Sequence, residues 1–310
     1  MTKKKKIIAI VGPSASGKTN LSIYLAKHLN GEIISADSRQ IYSEMNIATA
    51  KPTNEERSGI IHHCIDAVTP PEEYSVTEFS DCANKAIKII CGKNKIPIVV
   101  GGTGLYFRIL LENYAPPKVA PNYELRKELE QINTEVLYKE LQKIDPEMAT
   151  KIHFNNKVKI IRALEVCKTL NQTMSESQGI KESEYDVLWI GLNANNREFL
   201  YNRANLRVNK MIEDGLLSEF EYLVGKYGML PIYNSTIGYN ELIPYIKKEC
   251  DLNYSIEKIQ QNTRRYIKRQ LSWFRANKNI NWLNIDELAE EQLCKSALTL
   301  CTNFLEIEKN

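Results

Sequence analysis

An unbroken apolar run, Ile7-Ile8-Ala9-Ile10-Val11, is mostly β-branched and predicts a strand buried on both faces. A helical pattern over 17–29 follows, and Glu32-Ile33-Ile34-Ser35-Ala36 predicts a second strand. Further on come a helix over about 76–93, a buried-type strand Ile96-Pro97-Ile98-Val99-Val100 and a helix over 104–112. Strands that alternate with helices predict a parallel sheet with both faces covered. Three prolines within Ala115-Pro116-Pro117-Lys118-Val119-Ala120-Pro121 interrupt the alternation with an extended boundary. Residues 122–170 read as helical throughout, with Asp145-Pro146 as a helix start, and the polar stretch 171–184 suits a loop. Val187 to Leu192 returns as a strand, and the sheet is expected to resume there. From 196 onward the pattern is helical, with one short strand at 280–285 and then an amphipathic helix that docks on the core. The expected organisation is a core of residues 1–115 and 186–310 with a helical insertion at 116–185.

The first strand runs into Gly12-Pro13-Ser14-Ala15-Ser16-Gly17-Lys18-Thr19, a G-x-x-x-x-G-K-T pattern, and a helix opens immediately after it. Strand, loop and helix in that order are the context of a phosphate-binding P-loop. Its glycines let successive backbone N–H groups turn inward on phosphate oxygens. The helix start adds its positive dipole end. Lys18 supplies a cation, and Thr19 offers a hydroxyl to a Mg²⁺ ion bridging the phosphates. The chain is therefore expected to bind a polyphosphate on an α/β, P-loop NTPase-like fold. In parallel sheets ligands sit beyond the carboxyl ends of the strands. Gly12–Thr19, Asp37–Gln40 and Gly101–Thr103 all fall at such ends and should converge on one crevice.

Composition narrows the field of function. Hydrophobic residues make 43% and charged residues 25% of the 310, values ordinary for a soluble globular protein. A net charge of +3 does not by itself signify nucleic acid, so a basic footprint must be local. The run Lys3 to Lys6 reads as a solvated tail. No apolar stretch is long enough for a membrane span, and no signal-peptide pattern is seen. Seven scattered cysteines without a C-x-x-C pair point to reduced thiols in the cytoplasm. His62-His63 with Cys64 lacks a second ligand cluster, which argues against zinc.

Asp37 ends the second strand, where a carboxylate can take a proton from a substrate opposite the P-loop, or can cap a turn. Thr103 has the same two readings, as a helix cap or as a hydroxyl over the phosphates. A P-loop hydrolase usually carries a metal-holding aspartate at the end of a neighbouring strand. Ile98-Val99-Val100 ends in glycine, which weakens ATP hydrolysis and suits close approach by a bulky ligand or backbone. The helix over 255–276 carries Arg264, Arg265, Lys268, Arg269 and Arg275 among Tyr266, Trp273 and Phe274. Cations interleaved with aromatics fit an RNA backbone and an unstacked base, while a solvated face is the plainer account. Ile259, Tyr266, Ile267, Leu271 and Phe274 would be its core face. Arg203, Arg207 and Lys210 form a second basic group on one helix, in reach of a phosphate or simply exposed.

The P-loop does not stand alone. Together with Ser35-Ala36-Asp37-Ser38-Arg39-Gln40-Ile41-Tyr42, Thr49-Ala50-Lys51-Pro52 and Gly101-Gly102-Thr103-Gly104-Leu105-Tyr106, the chain resembles the tRNA dimethylallyltransferases of bacterial type. Ile161-Arg162-Ala163-Leu164-Glu165-Val166, Ile237-Gly238-Tyr239, Thr263-Arg264-Arg265-Tyr266 and Gln270 to Arg275 continue the match in the family's order, from about residue 7 to 283. The resemblance implies transfer of a dimethylallyl group from its diphosphate to the exocyclic N6 amine of the adenosine 3′ of the anticodon, with release of diphosphate. Gly12 to Thr19 then hold the diphosphate, with Mg²⁺ at Thr19, and Arg207 or Arg203 neutralises the leaving group. Asp37 matches the family's catalytic aspartate and Thr103 its threonine near the reacting groups.

By the same resemblance, tRNA contacts fall to Asp37, Ser38, Arg39 and Gln40, to Val158, Lys159, Ile160, Ile161 and Arg162, and to Ile237, Gly238 and Tyr239. Arg126 and the helix bearing Arg264, Arg265, Lys268 and Arg269 join them, so that the insertion and the basic helix grip the anticodon stem-loop of a monomeric enzyme. Two positions depart from the family pattern. Val158-Lys159 replaces a common Gln-Arg pair, and Cys64 stands where leucine is usual. No zinc-finger extension follows residue 285. Two alternatives share the P-loop half: an adenylate isopentenyltransferase acting on free nucleotide, and a small-molecule P-loop kinase with Asp37 as its base.

Overall fold

The computed structural model describes residues 4–117, 119–177, 179–180 and 183–306. Lys3 of the basic run, Lys118 of the proline-rich stretch, positions 178, 181 and 182 of the polar segment and 307–310 of the closing helix lie outside them. The chain divides into two compact units, one of residues 1–110 with 184–310 and the other of 111–183.

The first unit begins with β1 (Lys5–Val11), α1 (Lys18–His28), β2 (Gly31–Ser35), a short α2 (Asn54–Arg57), β3 (His62–His63), α3 (Val76–Gly92), β4 (Ile96–Gly101) and α4 (Gly104–Leu111). Two short strands, β5 (Tyr114–Ala115) and β6 (Gly179–Ile180), belong to the second unit, and β7 (Tyr185–Asn193) and β8 (Ile280–Asn284) return to the first. The strands of the first unit form a parallel six-stranded sheet ordered β3-β2-β4-β1-β7-β8. Between β1's two neighbours, Ile7 to Val11 are all at 0% exposure, which is why the run carries no polar residue. On one face α1 packs through Leu21 and Leu25 against Ile8, Ile10, Ile33 and Ile98. The closing helix (Glu290–Leu305) adds Leu293, Cys294, Ala297 and Cys301 to the same cluster, so it docks on the sheet as its amphipathic pattern suggests. The other helices of this unit span Arg197–Glu213, Leu216–Tyr227, Tyr239–Ile246 and Leu252–Phe274.

Register fixes where loops leave the sheet. Val11 pairs with both Gly101 and Gly191, and Ser35 pairs with Val100. The P-loop, the Asp37 turn and Gly102 therefore leave neighbouring strands at one level. The expected glycine clearance at the end of β4 proves to serve the protein's own groups. A Cβ on Gly101 would lie 2.1 Å from the Ala36 carbonyl oxygen, and one on Gly102 would lie 2.1 Å from the Gln270 amide.

The second unit divides the helical reading of 122–170 into four helices, Tyr123–Gln131, Thr134–Ile144, Pro146–Lys151 and Lys157–Leu170, with the expected start at Asp145-Pro146 among them. Each start has its own cap: Asn122, Asn133, Asp145 and Asn156 accept a backbone N–H from the turn they open. Such caps are worth about 1 kcal/mol each, enough to favour a new start over a continued helix. Leu129, Leu137, Leu141, Ile160 and Leu164 form the core of this bundle. The antiparallel pairing of β5 with β6 lies partly inside the stretch read as loop. Two-residue strands carry too few positions for an alternating pattern to show.

On β2, beside the edge strand β3, the buried Glu32 carboxylate meets His63 at 2.8 Å, Lys95 at 2.9 Å and Lys93 at 3.2 Å. Burial alone would raise its pKa, but hydrogen bonds from these three partners outweigh that and hold it at about 2. A carboxylate depressed in the folded state stabilises fully above its unfolded pKa and loses that contribution as pH falls through the folded value. Glu32→Gln should therefore cost on the order of 2 kcal/mol above pH ~5, with the gap closing toward pH ~2. Urea midpoints of both proteins across pH 2 to 7 test this, and a gap that does not vary with pH would remove the electrostatic account.

Candidate active site

The P-loop is built on the turn between β1 and α1. Gly17 adopts φ 89° at the helix start, a left-handed conformation suited to glycine, and no side chain caps the first turn of α1. Its leading amides are therefore left for an anion. Two outside residues brace the loop. Arg203 donates from Nε to the Ala15 carbonyl at 2.9 Å, and the Gln270 Oε1 accepts from the Ser14 N–H at 2.9 Å while its Nε2 donates to the Gly102 carbonyl at 3.1 Å. Ser16 Oγ is buried with no partner among the described residues, a polar atom left for a ligand or water to satisfy.

Lys18 folds back to donate to the Pro13 carbonyl at 2.7 Å. Burial, helped by the nearby positive charge of Arg207 and opposed by Asp37, pulls its pKa down to about 7. Arg207 is also held below its usual value by burial, against the pull of Asp37. Two desolvated cations thus face one carboxylate, an arrangement that favours entry of a further anion.

A cavity of about 280 Å³ opens over this level of the sheet. Ser14 of the P-loop, Asp37, Arg207, Thr263, Tyr266 and Arg269 supply its polar lining. Ala204, Val208, Met211, Ile237 and Ile259 supply an apolar part, and Ala48, Thr49 and Ala50 a third wall. Polar groups for a charged head thus lie beside an apolar surface fit for a short hydrocarbon.

The capping reading of Asp37 is met, and the same residue stands at the cavity. Its Oδ1 accepts the N–H of Arg39 at 2.8 Å and of Gln40 at 3.4 Å, so it caps the turn while lining the cavity. Thr103 Oγ1 accepts the Ser38 N–H at 3.2 Å and hydrogen-bonds with Tyr266, tying the Asp37 turn to the long basic helix. Tyr266, which the periodicity assigns to the core face, lines the cavity and has its phenol pushed up to about 12 by burial and by Asp37. Arg39 reaches the Ser235 carbonyl and hydroxyl, and Gln40 is spent on Ser35 and on the carbonyls of Thr49 and Ala50.

Of the two arginines considered for a leaving group, Arg207 lines the cavity, while Arg203 braces the P-loop backbone. Along the basic helix Arg264 binds Asn205 at 2.7 Å, Lys268 lies over the Tyr201 ring, and Arg269 lines the cavity beside Tyr266. Arg265, Lys268 and Arg269 are exposed.

Several residues named for RNA contact are engaged within the protein. Ile160 and Ile161 are buried in the second unit's core and Tyr239 in the first unit's, so their side chains do not reach a surface ligand. The periodicity of the helix puts those isoleucines inward, leaving Val158, at 79% exposure, and Lys159 outward. Arg126 and Arg162 both bind the fully buried Glu165 carboxylate. Ile237 lines the cavity, and Gly238 starts the helix behind it.

Two positioning groups carry no local sequence signal of their role. Glu219 accepts the N–H groups of Asn46, Ile47 and Ala48 and the Tyr239 hydroxyl, fixing the third cavity wall from a distant helix. Gln270 reads as one more polar residue on a charged helix. Only its place in the Gln270-to-Arg275 motif hints at the P-loop brace.

For Mg²⁺ the fit rests on donor chemistry. Among the described residues no group of three or more acidic, His or Cys side chains could hold a metal. Mg²⁺ on a diphosphate takes most ligands from phosphates and water and needs one or two protein oxygens. Thr19, at the start of α1, is a donor of that kind.

Comparison with known proteins places this geometry. The family model for IPP transferase matches residues 40–277, and that for isopentenyl transferase matches 5–67. The chain is similar to a tRNA dimethylallyltransferase of Halothermothrix orenii, 43% identical over 307 residues covering 96% of this chain and 93% of the relative. One from Acetivibrio thermocellus is 44% identical over 299 residues, covering 94% and 95%. Among solved structures, the tRNA isopentenylpyrophosphate transferase of Bacillus halodurans superposes with TM-score 0.75 at 38% identity, covering 98% of this chain and 97% of the other. A eukaryotic dimethylallyltransferase solved acting on tRNA gives TM-score 0.83 at 31% identity, covering 98% and 80%. The resemblance carried by the sequence motifs is borne out along nearly the whole chain, which belongs to the IPP transferase family.

Proposed function

We propose that the protein transfers the dimethylallyl group of dimethylallyl diphosphate to N6 of the adenosine just 3′ of the anticodon in tRNA, releasing diphosphate. The observation that carries this is one cavity holding Asp37 and Arg207 at the mouth of the P-loop, beside an apolar wall. The relatives named above are tRNA dimethylallyltransferases, and the reading follows theirs.

In this reaction the allylic C–O bond breaks, a C–N bond forms and the amine sheds a proton. The P-loop amides, Lys18 and Arg207 take up the charge growing on the leaving diphosphate, in a site where desolvation strengthens each interaction. Asp37 accepts the proton from the amine, whose lone pair is too delocalised to attack readily while that proton stays. Tyr266, bonded to Thr103 and beside Asp37, supports the turn from which the base acts. Thr19 would hold a Mg²⁺ ion, which supplies further neutralisation of the diphosphate. The apolar wall receives the prenyl chain and keeps water from the allylic carbon. The target base must leave its stack to enter, which costs least in a loop.

Arg269 in the cavity lining and Arg265 and Lys268 exposed nearby suit the anticodon stem-loop backbone. Replacing Arg265 and Arg269 with alanine should weaken tRNA binding and reduce the slope of log K against log salt by about 2, one for each phosphate left without its cation. An unchanged slope would return that helix to a solvated face. The reaction itself is tested by supplying labelled dimethylallyl diphosphate with tRNA, AMP or ATP. Label in tRNA is expected. Label in AMP alone would identify a free-nucleotide prenyltransferase, and phosphate transfer without prenylation a kinase.

A further inference from the structure

Cys64 directly follows β3, and Cys82 lies in the second turn of α3. Their sulfurs are 2.8 Å apart, with the Cys64 thiol donating. Cys64 is buried and Cys82 half-buried, so a small oxidant can reach the second. The contact with Cys64, a hydrogen bond from Tyr74 and the charge of Lys85 hold the Cys82 thiol below its usual value against burial. Cys82 is thus the sulfur of the pair that ionises more readily, while that same contact and burial push the Cys64 thiol up. A stabilised thiolate beside a proton-bearing thiol is the arrangement of an attacking sulfur and its resolving partner. The segment that follows Cys64 is joined to the Asp37 turn. Just past Cys64, Asp66 and Ala67 donate their N–H groups to the carbonyls of Gln40 and Ile41, at the end of the turn that Asp37 caps.

We propose that Cys64 and Cys82 form a reversible disulfide when the protein meets a peroxide. The Cys82 thiolate attacks one peroxide oxygen, the O–O bond breaks, and the departing hydroxide takes a proton to leave as water. Cys82 is then a sulfenic acid. The Cys64 sulfur attacks it, the S–S bond forms, the S–O bond breaks, and the Cys64 proton leaves with the hydroxyl as a second water. Two thiols are oxidised by two electrons and one peroxide is reduced to two waters. From 2.8 Å the sulfurs need to close by less than about 1 Å to reach bonding distance, a movement within side-chain adjustment.

Stoichiometric hydrogen peroxide on the full-length, reductant-free protein, followed by non-reducing peptide mapping, tests the proposal. A disulfide between Cys64 and Cys82 should appear before Cys91, half-buried on the same helix, is oxidised, and dithiothreitol should reverse it. Cys64→Ser should leave Cys82 as a sulfenic acid captured by dimedone. Cys82→Ser should slow oxidation of Cys64 at least about tenfold. Cys64→Ala and Cys82→Ala repeat the test should serine not be tolerated. Cys91 oxidising as fast as Cys82, a different cysteine pairing, or sulfinic acid at Cys82 without a disulfide would each overturn the assignment.

Discussion

Asp37→Ala should slow prenyl transfer by roughly 10²–10⁴-fold in single-turnover experiments, the span expected when a positioned general base is lost. Alanine removes two things at once here, because the same carboxylate caps the 37–40 turn through Oδ1. Asp37→Asn separates them. Its amide oxygen can still accept the Arg39 N–H, so the turn and its bond to Thr103 should persist, but an amide takes no proton from the amine. Both variants are expected to bind dimethylallyl diphosphate, since the P-loop, Lys18 and Arg207 remain, and to share the slow chemical step. An asparagine variant that transfers the prenyl group at the native rate would reduce Asp37 to a turn cap.

The parts of the fold legible in the sequence are those with a strong local cause. β1 is a run of buried β-branched residues flanked by paired strands, so its pattern could belong to little else. The P-loop is legible because its chemistry needs glycine, lysine and threonine at fixed spacing. The four helices of 123–170 are harder to separate. Their breaks are set by single capping side chains such as Asn133 and Asn156, each worth only about 1 kcal/mol, in a stretch whose residues mostly favour helix. Site residues divide in the same way. Asp37 and Arg207 are marked by strand ends and helix spacing. Glu219 and Gln270 act on loops far away in sequence, and nothing in their own neighbourhood records the loop they hold. Arg126 and Arg162, assigned to tRNA by resemblance, also bind the Glu165 carboxylate inside the same unit, a pairing that the motif alone does not reveal. Ile160 and Ile161 belong to a motif, and a motif carries packing positions together with contact positions.

Lys18 ties the electrostatics of the site to ligand affinity. With its pKa held at about 7, it is largely neutral at pH 8 before a ligand arrives. A bound diphosphate places negative charge where the ammonium can reach it and raises that pKa, so binding at pH 8 must draw a proton from solvent. Below pH ~7 the lysine is already charged and adds no pH dependence. Above it, affinity should fall by up to about tenfold per pH unit until pH reaches the raised pKa of the complex, the limit for one linked proton. Calorimetry of dimethylallyl diphosphate binding at pH 8, in two buffers of different ionisation enthalpy, measures the uptake directly. Lys18→Met should abolish it and weaken binding, and Lys18→Arg should abolish it while keeping a cation in place, because a guanidinium stays protonated throughout. The ligand's own ionisation is common to all three proteins, so the difference isolates Lys18. Equal proton uptake by the native and methionine proteins would mean that Lys18 is charged before the ligand arrives, and the burial argument for its depressed pKa would fail.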